Sequence, residues 1–285
     1  MPQSYCIYTN KFYHSEDMSK EHILPLSLGG CNKLCIEVNS EINKILGSKI
    51  DGILANDYLI SCLRRRHNLR GHSNSAPVTK FKKVKVIGTN LPVQITHEIN
   101  SKRIYDLRNR RYLTDAEYSG LQFSITIPFD KHIRSLFVTK VAIAAGYFIY
   151  GDEFLHYTDH ESLRQYMSFA IHRNENLVND LNLRFIDQFT TNADKRTIQL
   201  KDYFTLISKL LNCSSVQFIL CSEHFLVNVA IAGKYIGTVN FKANAKQISN
   251  SGIYSGGHVL AIQNGILKRA SFNHFENSII AKYGK

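Results

Sequence analysis

Tryptophan is absent from this chain of 285 residues, and proline, with 5, and cysteine, with 6, are scarce. With 44% hydrophobic residues and so little proline, the composition excludes a disordered chain and fits a globule large enough for one or two cores. The cysteines, at positions 6, 31, 35, 62, 213 and 221, are too dispersed for a disulfide framework, so free thiols are expected. No apolar run reaches the roughly 18 residues of a membrane span. The longest, 137–150, is interrupted by Lys140. Residues 1–20 are polar and aromatic, without the apolar core of a secretory signal, which leads us to expect a cytoplasmic protein with no membrane partner. Neither an internal repeat nor a low-complexity tract occurs.

Acidic residues are also in short supply, and unevenly so. The chain carries a formal charge of +12, and the segment 64–111 holds thirteen Lys or Arg against only Glu98 and Asp106. A positive field this concentrated releases counterions from a polyphosphate and drives sequence-independent binding. Arg64, Arg65, Arg66, Arg70, Lys80, Lys82, Lys83, Lys85, Arg108, Arg110 and Arg111 are therefore the candidate nucleic-acid contacts. DNA is the expected partner and RNA the second choice, against the plainer reading of a solvated basic surface. Tyr105, Tyr112 and Tyr118, interleaved with arginines, are candidates for stacking on bases or for a structural role.

Hydropathy patterning organises the chain. Residues 5–13 alternate as a short hairpin around Thr9 and Asn10. Glu21 and His22 lie just before Pro25, on extended chain, and Gly29 and Gly30 mark a turn. Ile42, Ile45 and Leu46 recur on one helical face with Gly47 as the expected stop, and a second helix is expected over 48–66. The Gly, Ser and Asn-rich stretch 67–77 is the expected domain boundary. Beyond it, 81–88 and 121–128 read as strands, 130–150 as a buried helix, 160–173 and 203–211 as helices, and 215–221, 225–233 and 235–241 as an antiparallel meander, with one more strand over 258–267. The segment 89–120 has no clear pattern.

The stretch 21–47 carries the chemistry. Hydrolysis of a phosphodiester needs a base for the attacking water and positive charge at the phosphate and the departing oxygen. Histidine titrates near neutrality and suits the first task. A hard cation such as Mg²⁺, held by carboxylate and amide oxygens, suits the second. Glu21, His22 and Asn43 supply one of each part; Asn39 and Asn43, four apart, share a helical face, and either reaches a metal; Asn32 in the turn is placed to orient the imidazole.

The order E-H-I-L-P, L-G-G, N-K, then N-K-I-L-G followed by S-K-I-D resembles the HNH endonuclease family, whose domain is the His-Me or ββα-metal finger. The match covers about residues 1–75. It implies that His22 is the general base, that Asn32 orients it, and that Glu21 and Asn43 hold one Mg²⁺ or Mn²⁺. Many relatives also carry two C-x-x-C pairs around a structural zinc. Here the corresponding positions are Cys6, Thr9, Asn39 and Ile42, so no structural zinc is expected and Ile7, Ile42 and Ile45 are expected to hold the finger by packing. A substitute site from Cys6, Cys31, Cys35 and His14 has unusual spacing for zinc.

The expected fold is therefore α+β: a small ββα-metal finger over 1–75, then a larger α+β domain over 76–285 that begins with the basic segment and contains a buried helix and an antiparallel sheet. The expected function is metal-dependent endonucleolytic cleavage of DNA, in a restriction or phage-defence setting, with a homo-oligomer or regulatory partner acting through the second domain. The competing expectation is an inactive finger kept in a nucleic-acid-binding or ligand-gated sensor protein.

Overall fold

The computed structural model describes residues 2–127, 130, 132–172, 181–248, 254 and 256–283. The fold is α+β, as expected, with every strand pairing antiparallel among the described residues. The chain divides into two compact units, Met1–Leu54 with His132–Lys285, and Ala55–Lys131.

In the first unit, β1 (Gln3–Cys6) and β2 (Lys11–His14) form a hairpin whose turn holds Asn10 at φ 57°. β3 (Met18–His22) pairs with β4 (Cys35–Asn39), and α1 (Ser40–Leu46) follows at once. The helix does not stop at Gly47, which has helical angles (φ −56°, ψ −40°) rather than the left-handed ones of a glycine stop. A π-helical turn, Gly47–Asp51, leads instead into α2 (Gly52–Asn56). The break falls at Asp57, whose carboxylate accepts from the N–H groups of Leu59 and Ile60 and starts α3 (Tyr58–Arg66). The helix expected over 48–66 is thus three pieces.

The second unit contains α3, then β5 (Thr79–Val86), β6 (Pro92–His97), β7 (Lys102–Asp106), β8 (Arg111–Tyr112), α4 (Asp115–Tyr118) and β9 (Phe123–Ile125). The patternless stretch 89–120 thus supplies three strands and a helix. They form a five-stranded sheet in the order β8-β7-β6-β5-β9. One face is lined by Val84, Val86, Val93, Ile95 and Ile104, with Phe81 and Phe123 against them.

The chain then returns to the first unit. α5 (Ile133–Tyr150), α6 (Asp152–Tyr157) and α7 (His160–His172) precede β10 (Arg184–Asp187) and α8 (Lys195–Leu211). After them come β11 (Ser214–Leu220), β12 (His224–Ile231), β13 (Lys234–Lys242), β14 (Gly257–Gln263), β15 (Ile266–Ser271) and α9 (Phe272–Tyr283). The strand expected over 258–267 is two, β14 and β15, joined by a turn with Asn264 and Gly265 at positive φ. The six strands run β10-β13-β12-β11-β14-β15. Tyr150 of α5 touches Phe218, while Ile207 of α8 clusters with Val259, the partner of Gln217. Since Gln217 and Phe218 alternate, α5 and α8 cover opposite faces of the sheet.

α5 explains its own composition. It is long and apolar enough to cross a membrane, yet 72% of it is buried inside the protein, between the sheet, α7 and the π-helical turn. The boundary expected at 75/76 is therefore replaced by two, at 54/55 and 131/132. Buried polar links tie 1–54 to 132–285: Arg164 Nη1 donates to the Ile7 carbonyl (3.2 Å), Ser214 Oγ to the Leu28 carbonyl (2.9 Å), and Lys140 Nζ to Asp51 Oδ2 (2.6 Å). Leaving any of these groups unmet in the interior would be costly, so the segments fold together.

Candidate active site

β3 alternates between the interior and the surface, and this decides where its two chemical residues go. Glu21 stands opposite Ile36 and is 6% exposed, whereas His22 stands opposite Cys35 and is half-buried. Consecutive strand residues face opposite ways, so Glu21 and His22 do not share a face.

On the outer side, the loop after β3 folds back through two structural devices. Gly29 takes a left-handed φ of 83° to end a short 3₁₀ turn. Gly30 approaches the backbone so closely that an added Cβ would lie 1.6 Å from the Leu24 carbonyl oxygen. This loop brings Asn32 to His22, with His22 Nε2 and Asn32 Oδ1 at 2.9 Å. An amide oxygen only accepts, so Nε2 carries the hydrogen and the basic lone pair lies on Nδ1. Gly30→Ala should cost about 3 kcal/mol or more, since the contact is with backbone that cannot step aside. A urea midpoint close to that of the wild-type chain would refute this account of the glycine pair.

The remaining proposed ligands have other partners. Asn43 donates from Nδ2 to Ser19 Oγ (3.0 Å) and to the Lys20 carbonyl (3.2 Å), tying α1 to β3. Asn39 is the N-cap of α1, its Oδ1 accepting from Glu41 N (3.1 Å) and Ile42 N (3.2 Å), so the shared helical face with Asn43 does not exist. Its backbone N–H donates to Cys6 Sγ at 3.2 Å, joining two of the four positions that resemblance assigns to zinc. Cys35 Sγ points to the carbonyl of Asn32 (3.4 Å). Ile7 is fully buried, but Ile42 and Ile45 are only half-buried; the packing comes from Ile23, Leu24, Leu28, Leu34, Val38, Leu46 and Ile50.

On the inner side, Glu21 Oε1 forms an ion pair with Lys140 of α5 and accepts from Tyr8 Oη at 3.4 Å. Lys140 pairs at the same time with Asp51 Oδ2 (2.6 Å) and is fully buried. Burial pulls Lys140 down, but the Asp51 and Glu21 carboxylates outweigh it and hold the ammonium above the ordinary lysine range. Burial also pushes Asp51 up to about 6, against the pull of Lys140, and its Oδ1 has no hydrogen-bond partner among the described residues. Lys140, Asp51 and Tyr8 were not singled out from sequence as site residues. The one legible signal was a lysine inside the longest apolar run, which needs a buried counter-charge.

Asp51 gives a pH prediction. Its folded-state value of about 6 stands above the ordinary 3.8, so the folded chain keeps this proton to higher pH than the unfolded chain. Its contribution to stability is complete below the lower value and lost as pH rises to the upper one. Across that window the urea midpoint of the wild-type chain should fall relative to Asp51→Asn; parallel profiles would contradict the assignment.

Of the three oxygen donors expected at the metal, two already have partners: Glu21 is paired with Lys140 and Asn39 caps α1, while Asn43 donates from its Nδ2. The basic residues also separate into two kinds. Arg64 donates to the Ala55 carbonyl, Arg65 to that of Glu98, Arg70 to Asn68 and Asn74, and Arg111 grips Glu117, so these four brace the second unit. Arg66, Lys80, Lys82, Lys83, Lys85, Arg108 and Arg110 are exposed. Comparison with family models, curated proteins and solved structures finds no match to this chain.

Proposed function

We propose that this chain is an HNH-type endonuclease that hydrolyses phosphodiester bonds in DNA in the cytoplasm, as an effector of restriction or phage defence. The observation that supports it best is the His22–Asn32 pair at 2.9 Å, at the end of the first strand of a hairpin whose following helix is tied back by Asn43. With Nε2–H held by Asn32, Nδ1 takes a proton from water, the water oxygen bonds to phosphorus, and the departing 3′ oxygen leaves with the electron pair of its bond and takes up a proton from solvent. The resemblance adds Mg²⁺ or Mn²⁺ to this scheme; Glu21 and Asn39 already have partners, so the step is written with the chain's own residues.

A second reading, a nucleic-acid-binding protein with an inactive finger, is favoured by the burial of Glu21 against Lys140. Supercoiled plasmid incubated with the purified chain in Mg²⁺, in Mn²⁺ and in chelator separates the two. Conversion to nicked circles supports the enzyme; intact plasmid in every condition, with retained binding, supports the second reading. Adding a candidate activator or measuring the oligomeric state tests the regulatory partner.

A further inference from the structure

The sheet of the second unit has an apolar face and, opposite it, a polar and basic one. Phe81 packs against the apolar layer and Val84 is buried in it, although they are three residues apart on β5. The strand register shifts between them, so Lys82 and Lys83 together oppose the single residue Gln94. Both lysines consequently project to the outer face and both are exposed. Gln94 is paired with Tyr105, and Tyr105 with Tyr112. A row therefore crosses four strands, with cations at one end and two tyrosines at the other. The tyrosine rings meet edge to face at 5.1 Å, Tyr112 is 57% exposed, and the Arg103 guanidinium lies 5.8 Å over its ring.

The nearby acids do not neutralise this face. Glu98 is bound by Arg103 and Ser101, Glu117 by Arg111 and Thr114, and Asp106 accepts from the backbone of Arg108 and Asn109. Among the described residues, Lys80, Lys82, Lys83 and Lys85 have no ion-pair partner. Charge complementarity thus calls for a polyanion. The exposed ring of Tyr112, beside the half-buried ring of Tyr105, calls for one whose π-faces are open, which a duplex hides and a single strand offers.

We infer that the outer face of this sheet binds single-stranded nucleic acid, with the phosphates along Lys82 and Lys83 and bases stacked on Tyr105 and Tyr112. This rests on the nucleic-acid reading above and narrows it from a basic segment to a face and a strand state. The full chain carrying His22→Ala is kept in chelator, so that nothing is cut, and titrated against labelled poly(dT), poly(U) and a duplex of matched length. Both single strands should bind more tightly than the duplex, and a preference for poly(U) would support the face while moving the substrate to RNA. Tyr112→Ala, at an exposed site, should weaken single-strand binding about tenfold. Tyr105→Ala should do the same, and the Tyr→Phe variants should keep wild-type affinity. Lys82→Ala with Lys83→Ala should reduce the slope of log affinity against log salt by about 1.4. Duplex bound more tightly than either single strand, or Tyr112→Ala binding like the parent, overturns the inference. Plasmid nicking tests the nuclease reading separately, since these titrations involve no cleavage.

Discussion

Lys140→Met destabilises the first unit by about 3–5 kcal/mol, the range for breaking a buried ion pair from one side. Methionine keeps most of the volume of the side chain and removes only the ammonium. What remains is Glu21 beside Asp51 in the interior, two carboxylates without the cation that both now contact. Such a pair either binds a proton or forces the hairpin off α5, and each route costs stability. Urea unfolding of the full chain, followed by circular dichroism, measures the loss. The matching variant, Lys140→Met with Glu21→Gln and Asp51→Asn, removes the charges together and should regain most of it, because a neutral hydrogen-bonded cluster carries far less desolvation cost. If the single variant unfolds at the wild-type urea concentration, the ion cluster is not what joins 1–54 to the long helix.

His22→Ala should lower the rate of plasmid nicking about 10²–10⁴-fold, the usual contribution of a positioned general base. The side chain is half-buried and bonded to Asn32 at the surface, so its loss should leave the urea midpoint and oligonucleotide binding almost unchanged. Asn32→Ala should cause a smaller loss in rate, since it removes only the preference for the tautomer with its lone pair on Nδ1. A His22→Ala protein that nicks as fast as the wild type would end the assignment of the base.

Much of the arrangement was legible in the residues. Alternation at 225–233 and 235–241 gave the meander, and β12 and β13 stand there; an apolar run over 130–150 gave a buried helix, and α5 is one. The spacing of His22, Gly29, Gly30 and Asn32 placed an amide within reach of an imidazole, which local turn chemistry was enough to fix. Gly47 misled because a glycine ends a helix only when the next contacts favour a left-handed residue, and here the π-helical turn packs against α5 instead. The basic run 64–111 was visible as charge, but which of its residues brace the sheet, as Arg64, Arg65, Arg70 and Arg111 do, depended on where carbonyls and carboxylates of the folded chain came to lie.

By itself the sequence determined the class of fold, the hairpin-and-helix order around His22, and the positive charge of the middle of the chain, because these depend on periodicity, turn residues and composition within a few neighbouring positions. Only the tertiary structure decided that Glu21 faces inward to Lys140, that residues 1–54 share a core with 132–285, and that Lys82, Lys83, Tyr105 and Tyr112 form one row. The first two depend on partners far along the chain, chosen by which buried charges had to be satisfied together, and the third on the register of neighbouring strands, which no single strand reveals.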